Sequence, residues 1–229
     1  MTLRYPVFRP VADHGVLVEF GDSISEAVHD AVLRLDARLS REAVPGFLEA
    51  VPAYVNILVR FDPLAADHEA VEDALRRLIE APGASPAAGQ EREVRVCYDA
   101  DLAPDLSDVA KAAGLSEEAV IAAHLAGDYR VYMYGFAPGF AYLAGVPEAI
   151  RLPRKNAPVR DVAAGSVVIA GPQCLVTTLV MPTGWWIIGR SPTRILYGEE
   201  EERPVLFDVG DRVRFTRIGR ADFEAEAPR

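Results

Sequence analysis

Cysteine and histidine are scarce in this chain: two cysteines, Cys97 and Cys174, and four histidines, His14, His29, His68 and His124, in 229 residues. Neither cysteine belongs to a CxxC pair and no histidines stand at HxxxH or HExxH spacing, so no disulfide framework or structural metal is expected. Both cysteines lie in apolar segments, which predicts two buried thiols. Basic charge is also short: 24 Lys and Arg against 34 Asp and Glu give a net charge of −10. Such a field repels nucleic acid and anionic lipid. No run of 18 or more apolar residues occurs, and residues 1 to 10 lack an apolar stretch after a basic start, so no membrane span or export leader is expected and the cytoplasm is the expected location. The GxxxxGK[ST] loop is absent, which disfavours P-loop nucleotide binding. Ser166 is not in a GxSxG elbow, and no His and Asp are placed to complete a triad with it.

What is present divides the chain in two. Val16, Val18 and Phe20 alternate as in a strand, and Ser23 with Glu26 reads as a capping box opening a helix with apolar positions at Val28, Ala31, Leu35 and Leu39. Strands follow over 47–51 and 55–61, then a helix over 67–81, giving β-α-β-β-α: a small α+β domain over residues 1–82 with its helices on one sheet face. Residues 81–90 hold two prolines, two glycines and no charge, which sets a linker at 83–91. Residues 92–229 form the second domain. A strand over 94–98 is followed by two short helices, 105–113 and 116–125. Short segments broken by Gly or Pro come next, at 131 onward, 167–170, 175–180, 185–189, 205–209 and 213–217, and predict a closed or nearly closed β-barrel with a helical insertion.

The helix pair over 108–127 has the look of a DNA-reading helix-turn-helix. Residues 105–130 nevertheless carry five acidic and two basic side chains, net −3, with Glu117 and Glu118 where phosphate contacts would be needed. His124, near the end of that pair, reads either as a satisfied helix-end residue or as a general acid or base beside the glycine-rich stretch that follows. That stretch, 129–143, is the most specific in the chain. Tyr132 and Tyr134 lie in a strand covered on both faces, and Gly135 and Gly139 flank Phe136, Pro138 and Phe140 in a turn able to approach a ligand. Arg154, Arg160 and Arg190 are embedded among Gly, Pro and aromatic residues, as groups that grip carboxylate or phosphate or as structural ion pairs. Gln173 ends a strand with an amide able both to donate and to accept.

Taken in order, GFAPGFAYL (135–143), LPR (152–154), AGSVVIAGPQ (164–173), PTGW (182–185), IIGRSP (187–192) and VGDRVRF (209–215) resemble the family of B-type 5-oxoprolinase subunits, also called allophanate hydrolase subunit 1 and built on carboxyltransferase subdomains C and D. The resemblance implies an α+β N-terminal domain followed by a mainly-β, cyclophilin-like barrel domain. It implies a heteromeric complex with a C-type subunit of related barrel design and with an A-type subunit, opening a lactam such as 5-oxoproline to glutamate with consumption of ATP. It implies catalytic roles for His124, Arg154 and Gln173, which would move a proton, hold carboxylate or phosphoryl oxygens and orient the amide, and substrate contacts at Gly135, Phe136, Gly139, Phe140, Ser166, Trp185 and Arg190. The chain departs from the family pattern at Val159, Ala163, Thr177, Thr178 and Thr183, which leaves room for a different lactam or a urea-derived amide. A non-catalytic inhibitor of a sensor histidine kinase, and a carboxyl-transfer component served by a biotinylated partner, are the competing readings.

Overall fold

A computed structural model describes residues 4–82, 89–198 and 202–227. The chain divides into two compact units, Met1–Ala88 and Gly89–Arg229. Of the linker expected over 83–91, residues 83–88 lie outside the described residues, and the last of it, Glu91, already belongs to a strand.

The first unit is a four-stranded antiparallel sheet, β1 (Val7–Val11), β2 (Gly15–Glu19), β3 (Phe47–Pro52) and β4 (Asn56–Phe61), ordered β1-β2-β4-β3. Helices α1 (Glu26–Leu39) and α2 (His68–Glu80) cover one face. Val16, Val18, Ile57, Val59 and Phe61 alternate toward that face and meet Leu35, Val71 and Leu75 from the helices. Strand β1 adds to the expected β-α-β-β-α order. Its Pro10 breaks the strand signature, and an edge position tolerates the missing donor. The cap of α1 is also corrected: Ser25, not Ser23, has extended backbone and accepts from the Val28 amide at 3.3 Å, which leaves Glu26 as the first helical residue. Asp67 caps α2 through the Ala70 amide at 2.9 Å.

The second unit contains β5 (Glu91–Val96), α3 (Leu106–Ala113), α4 (Glu117–Leu125), β6 (Tyr129–Tyr134), β7 (Ala141–Ala144), β8 (Val159–Val162), β9 (Ser166–Ala170), β10 (Gln173–Val176), β11 (Met181–Thr183), β12 (Trp186–Arg190), β13 (Arg212–Arg217) and α5 (Arg220–Glu226). Seven strands form one sheet in the order β12-β9-β10-β7-β6-β13-β5, and β8 pairs with β11 as a separate ribbon. The two ends of the large sheet meet. Cys97, just past β5, exchanges amide-to-carbonyl bonds of 2.8 and 2.9 Å with Arg190 at the end of β12. That bridge makes the sheet a nearly closed barrel and removes most of its free edge.

Strand alternation then sorts side chains into two cores. Val167 and Ile169 of β9, Cys174 and Val176 of β10 and Ile188 of β12 point into the barrel with Val109 and Val120 from the helix pair. Val168, Ala170, Leu175 and Ile187 point outward and pack under Phe140, Val162 and Trp185. Strand β9 is buried at every position because both its faces are covered. Helices α3 and α4 spend their apolar faces on the barrel interior. Ser116 caps α4 as expected, accepting from the Ala119 amide at 3.1 Å.

Two strand assignments are corrected. The segment expected over 205–209 makes only an isolated bridge, Leu196 to Val205. There the chain turns around Asp211, 2 % exposed, whose carboxylate accepts from the amides of Gln90 (2.8 Å) and Asp208 (2.9 Å) and from Arg92 (2.9 Å). The segment expected over 175–180 leaves the sheet at Val176. There the Thr177 backbone still bonds Ser166 and Gly165, at 2.9 and 2.6 Å, and its hydroxyl adds side-chain bonds, accepting from the Ser166 amide at 2.9 Å and donating to the Ala163 carbonyl at 2.8 Å. Strand β7, the β8–β11 ribbon and α5 carry too little alternation to be legible in the sequence. No helix among the described residues is long and apolar enough to cross a membrane.

Candidate functional site

The aromatic stretch is a hairpin, β6 and β7 joined by Gly135–Phe140. Its loop closes on itself through Gly135 N to Phe140 O (3.2 Å) and Phe140 N to Ala137 O (3.1 Å), and Thr178 braces it by donating to the Pro138 carbonyl at 2.7 Å. Phe136 has φ +74°, a conformation that strains a side-chain-bearing residue, and is 75 % exposed. Gly139 has φ +71° with Thr178 and Leu196 close behind it, so a side chain there would be both strained and crowded.

From this loop a ladder of rings crosses the outer face of the barrel. Phe136 and Phe140 have centroids 5.4 Å apart, Phe140 and Tyr142 5.8 Å, and Tyr142 and Trp185 6.0 Å. Arg154 ends it, its guanidinium 5.5 Å from the Trp185 ring, a cation–π distance. These residues, with Leu175, Pro182, Thr183 and Gly184, line a cleft of about 200 Å³. The backbone around Arg154 is pinned from both sides. Trp186 Nε1 donates to the Pro153 carbonyl at 2.7 Å, the Lys155 amide donates to Gly184 O at 2.7 Å, and the Lys155 ammonium pairs with Asp105. Asp105 also accepts from the Ile187 amide at 2.6 Å. The backbone that carries Arg154 is thus held in place, and no carboxylate among the described residues pairs with its guanidinium.

His124 is elsewhere. It is fully buried in the barrel interior, where Tyr98 Oη lies 2.7 Å from its Nδ1, Cys174 Sγ lies 3.7 Å from its Nε2, and the rings of Phe215 and Tyr129 stand 4.5 and 5.3 Å away. Burial drives its pKa down to about 3 and pushes the Tyr98 and Cys174 groups up. All three are neutral near neutral pH. The expectation that His124 and Arg154 meet in one cavity is corrected: the sheet lies between the core that encloses His124 and the layer that carries Arg154. Gln173 shares the Leu175 side of β10 by alternation but is not among the residues that line the cleft, so the expected partnership of Gln173 with Arg154 is not formed there either.

The other expected residues fall into two further places. Gly135, Phe136 and Gly139 border an open groove along the outside of the hairpin loop. Ser166 and Arg190, cross-strand partners on β9 and β12, line a separate cavity of about 220 Å³ beside the barrel seam. Ser166 donates to the Ala163 carbonyl at 2.8 Å, and Arg190 Nε reaches the Ala164 carbonyl at 3.3 Å. Tyr142 and Thr183 of the cleft, and Asp161 of the seam cavity, are additions to the expected set. Tyr142 has a sequence signal, since it lies two residues after Phe140. Both cysteines are free and buried. Among the described residues no group of three or more His, Cys, Asp or Glu is placed to hold a metal ion.

A nearly closed barrel with an aromatic cleft on its outer face, lined by Arg154, is an architecture of the carboxyltransferase type. The chain belongs to the carboxyltransferase domain, subdomain C and D family, whose model matches residues 6–207, and with it to the B-type subunits of 5-oxoprolinase. It is 37 % identical to the B-type 5-oxoprolinase subunit of Bacillus subtilis over 236 residues, covering 98 % of both chains. Among solved structures it is similar to TTHA0988, with TM-score 0.80 and 38 % identity over 90 % of this chain; it spans 40 % of that longer protein. The K. lactis urea amidolyase shares the fold at TM-score 0.77, with 16 % identity, 95 % of this chain and 15 % of that one.

Proposed function

We propose that this chain is the B-type subunit of a cytoplasmic, ATP-consuming complex that hydrolyses the C–N bond of a lactam such as 5-oxoproline to give glutamate, working with partners of the C and A types. Within it the second unit is a cyclophilin-like barrel, and the cleft between Trp185 and Phe140 receives the substrate. The observation that carries this reading is Arg154: an exposed guanidinium on a backbone held by its neighbours, left without a carboxylate partner among the described residues, at the end of an aromatic wall. That pairing suits a small ring bearing a carboxylate. The carboxylate takes the guanidinium fork and the ring lies on the aromatic faces.

An amide is a poor electrophile because its nitrogen lone pair is delocalised onto oxygen. Transfer of the ATP γ-phosphoryl group to that oxygen leaves ADP and an activated imidate. Water adds at the carbon, the C–N bond opens with a proton delivered to nitrogen to leave an acyl phosphate, and a second water hydrolyses that acyl phosphate to carboxylate and phosphate. ATP is a co-substrate of the complex, and the part of this chain is to hold and orient the ring, an entropic contribution. The test is Arg154→Ala in the reconstituted complex, with glutamate and phosphate release followed across a panel of lactams and linear amides. Turnover is expected to fall about 100-fold, the cost of one charge-assisted bidentate contact, with the urea unfolding midpoint unchanged. Full turnover by the variant would remove Arg154 from the site.

A further inference from the structure

The seam cavity carries opposite charges that do not neutralise one another. Arg160, Asp161 and Arg190 all line it. No carboxylate among the described residues pairs with Arg160 or Arg190 and no cation pairs with Asp161, whereas Arg92, Arg203, Arg217 and Arg220 of the same unit each hold an ion pair. Asp101, a further lining residue, is already committed: its two carboxylate oxygens accept from Arg220 at 2.9 and 2.8 Å.

The arrangement is built by a distortion. Consecutive residues of a strand point to opposite faces, so Arg160 and Asp161 should not share a cavity. On β8 they do, because Val159 pairs with Thr183 and Val162 with Met181, three steps on one strand against two on the other. The extra residue is a bulge, and Asp161 takes φ +54° within it. Bulges re-aim side chains, and left-handed backbone at a residue other than glycine costs free energy that something else must offset.

We infer that the seam cavity binds a small zwitterionic α-amino acid, its carboxylate held by Arg160 and Arg190 and its ammonium by Asp161. An anion alone would leave Asp161 facing it with like charge, and a cation alone would face two guanidinium groups. A ligand carrying both signs satisfies all three. The identity of the amino acid rests on the function proposed above. Opening a lactam turns a neutral ring N–H into an ammonium and leaves the carboxylate intact, so Asp161 separates the opened product from the ring. The Arg154 cleft then takes the ring and the seam cavity its product.

The experiment titrates the full ¹⁵N-labelled chain with L-glutamate, 5-oxoproline and inorganic phosphate, following backbone amide shifts. Glutamate is expected to saturate, to shift the Arg160, Asp161 and Arg190 resonances, and to bind about tenfold tighter than 5-oxoproline, the worth of one charged hydrogen bond. Asp161→Asn is expected to weaken glutamate by a similar factor and to leave phosphate unchanged or tighter. Asp161→Gly separates binding from folding: it relieves the positive φ, so the unfolding midpoint rises while glutamate affinity falls. Arg160→Gln weakens both glutamate and phosphate. The inference is overturned if glutamate leaves these resonances unmoved, if phosphate binds the native chain more tightly than glutamate, or if Asp161→Asn keeps full glutamate affinity. Glutamate bound here by a chain whose complex hydrolyses no lactam would refute the proposed reaction and leave the zwitterion site standing.

Discussion

The burial of His124 makes a prediction that can be worked through in numbers. Its imidazole is enclosed by Tyr98, Cys174, Tyr129 and Phe215 and titrates near 3 in the folded chain, against about 6.5 when unfolded. The folded state therefore holds the ring neutral while the unfolded state takes up a proton below that pH. The stability contributed by a neutral buried ring is fully present above the unfolded pKa and is lost as pH falls toward the folded one. Each pH unit in that window removes about 1.4 kcal/mol, and between pH 7 and pH 4.5 the sum is roughly 2 to 3 kcal/mol. Carboxylates add their own acid dependence, so the measured quantity is the difference between the native chain and His124→Gln, which can still bond Tyr98 but does not titrate. The chain has two tryptophans, Trp185 and Trp186, both in the barrel unit, so their fluorescence during urea unfolding reports on the unit that contains His124. The native chain should lose roughly 2 to 3 kcal/mol more than the variant over that range. Equal losses would mean that the folded imidazole takes up protons freely, and the enclosure argued for it would be wrong.

Two glycines with positive φ should separate crowding from conformation. Gly145 has φ +130°, and a Cβ there would stand 2.1 Å from the Asp128 carbonyl oxygen, so Gly145→Ala is expected to cost about 3 kcal/mol or more in the barrel-unit urea midpoint. Gly114, which ends α3 at φ +68° with nothing within 4 Å, should cost only about 1 kcal/mol on the same change. For Arg154, the Lys variant should recover little of the turnover lost in Arg154→Ala, because an ammonium lacks the planar fork and stacks poorly on Trp185.

The legible parts of the fold were those where one rule of local chemistry acted alone. The clean alternation of Ile57, Val59 and Phe61, the 3.6-residue stripe of α2 and the Ser116 cap needed no tertiary context. The misread parts were set by partners distant in sequence. Just past β10 the Thr177 hydroxyl is held by Ser166 and Ala163, and the chain near 208 turns where Asp211 collects amides from Gln90 and Asp208. At the site, the aromatic loop and Arg154 were visible as unusual residue types among Gly and Pro. Their separation from His124 was not. One residue of parity on a strand decides which side of a sheet a side chain occupies, and motif order along the chain carries no such parity. The bulge at Asp161 had no local signal either, since its residue count is defined only against Met181 and Thr183 of the paired strand.

The exclusion of His124 from the cleft bears on what this chain can do alone. Lactam opening needs a proton delivered to nitrogen and a water deprotonated for attack, tasks of groups that titrate near neutral pH. The residues lining the Arg154 cleft are Phe136, Phe140, Tyr142, Leu175, Pro182, Thr183, Gly184 and Trp185 beside the arginine itself. None is a histidine, cysteine, aspartate, glutamate or lysine. On the reading proposed above the cleft holds and orients a carboxylate-bearing ring, and beside Arg154 its described lining offers one proton-carrying side chain, the Tyr142 phenol. The proposed reaction then draws its remaining acid and base groups from a partner chain over the open side, where Phe136 is 75 % exposed. The isolated chain is therefore expected to release neither glutamate nor phosphate from 5-oxoproline and ATP at any pH from about 6 to 9, and to become active only when its partner chains are added. Turnover by the purified chain alone, unaffected by Arg154→Ala, would show that the chemistry takes place somewhere other than this cleft.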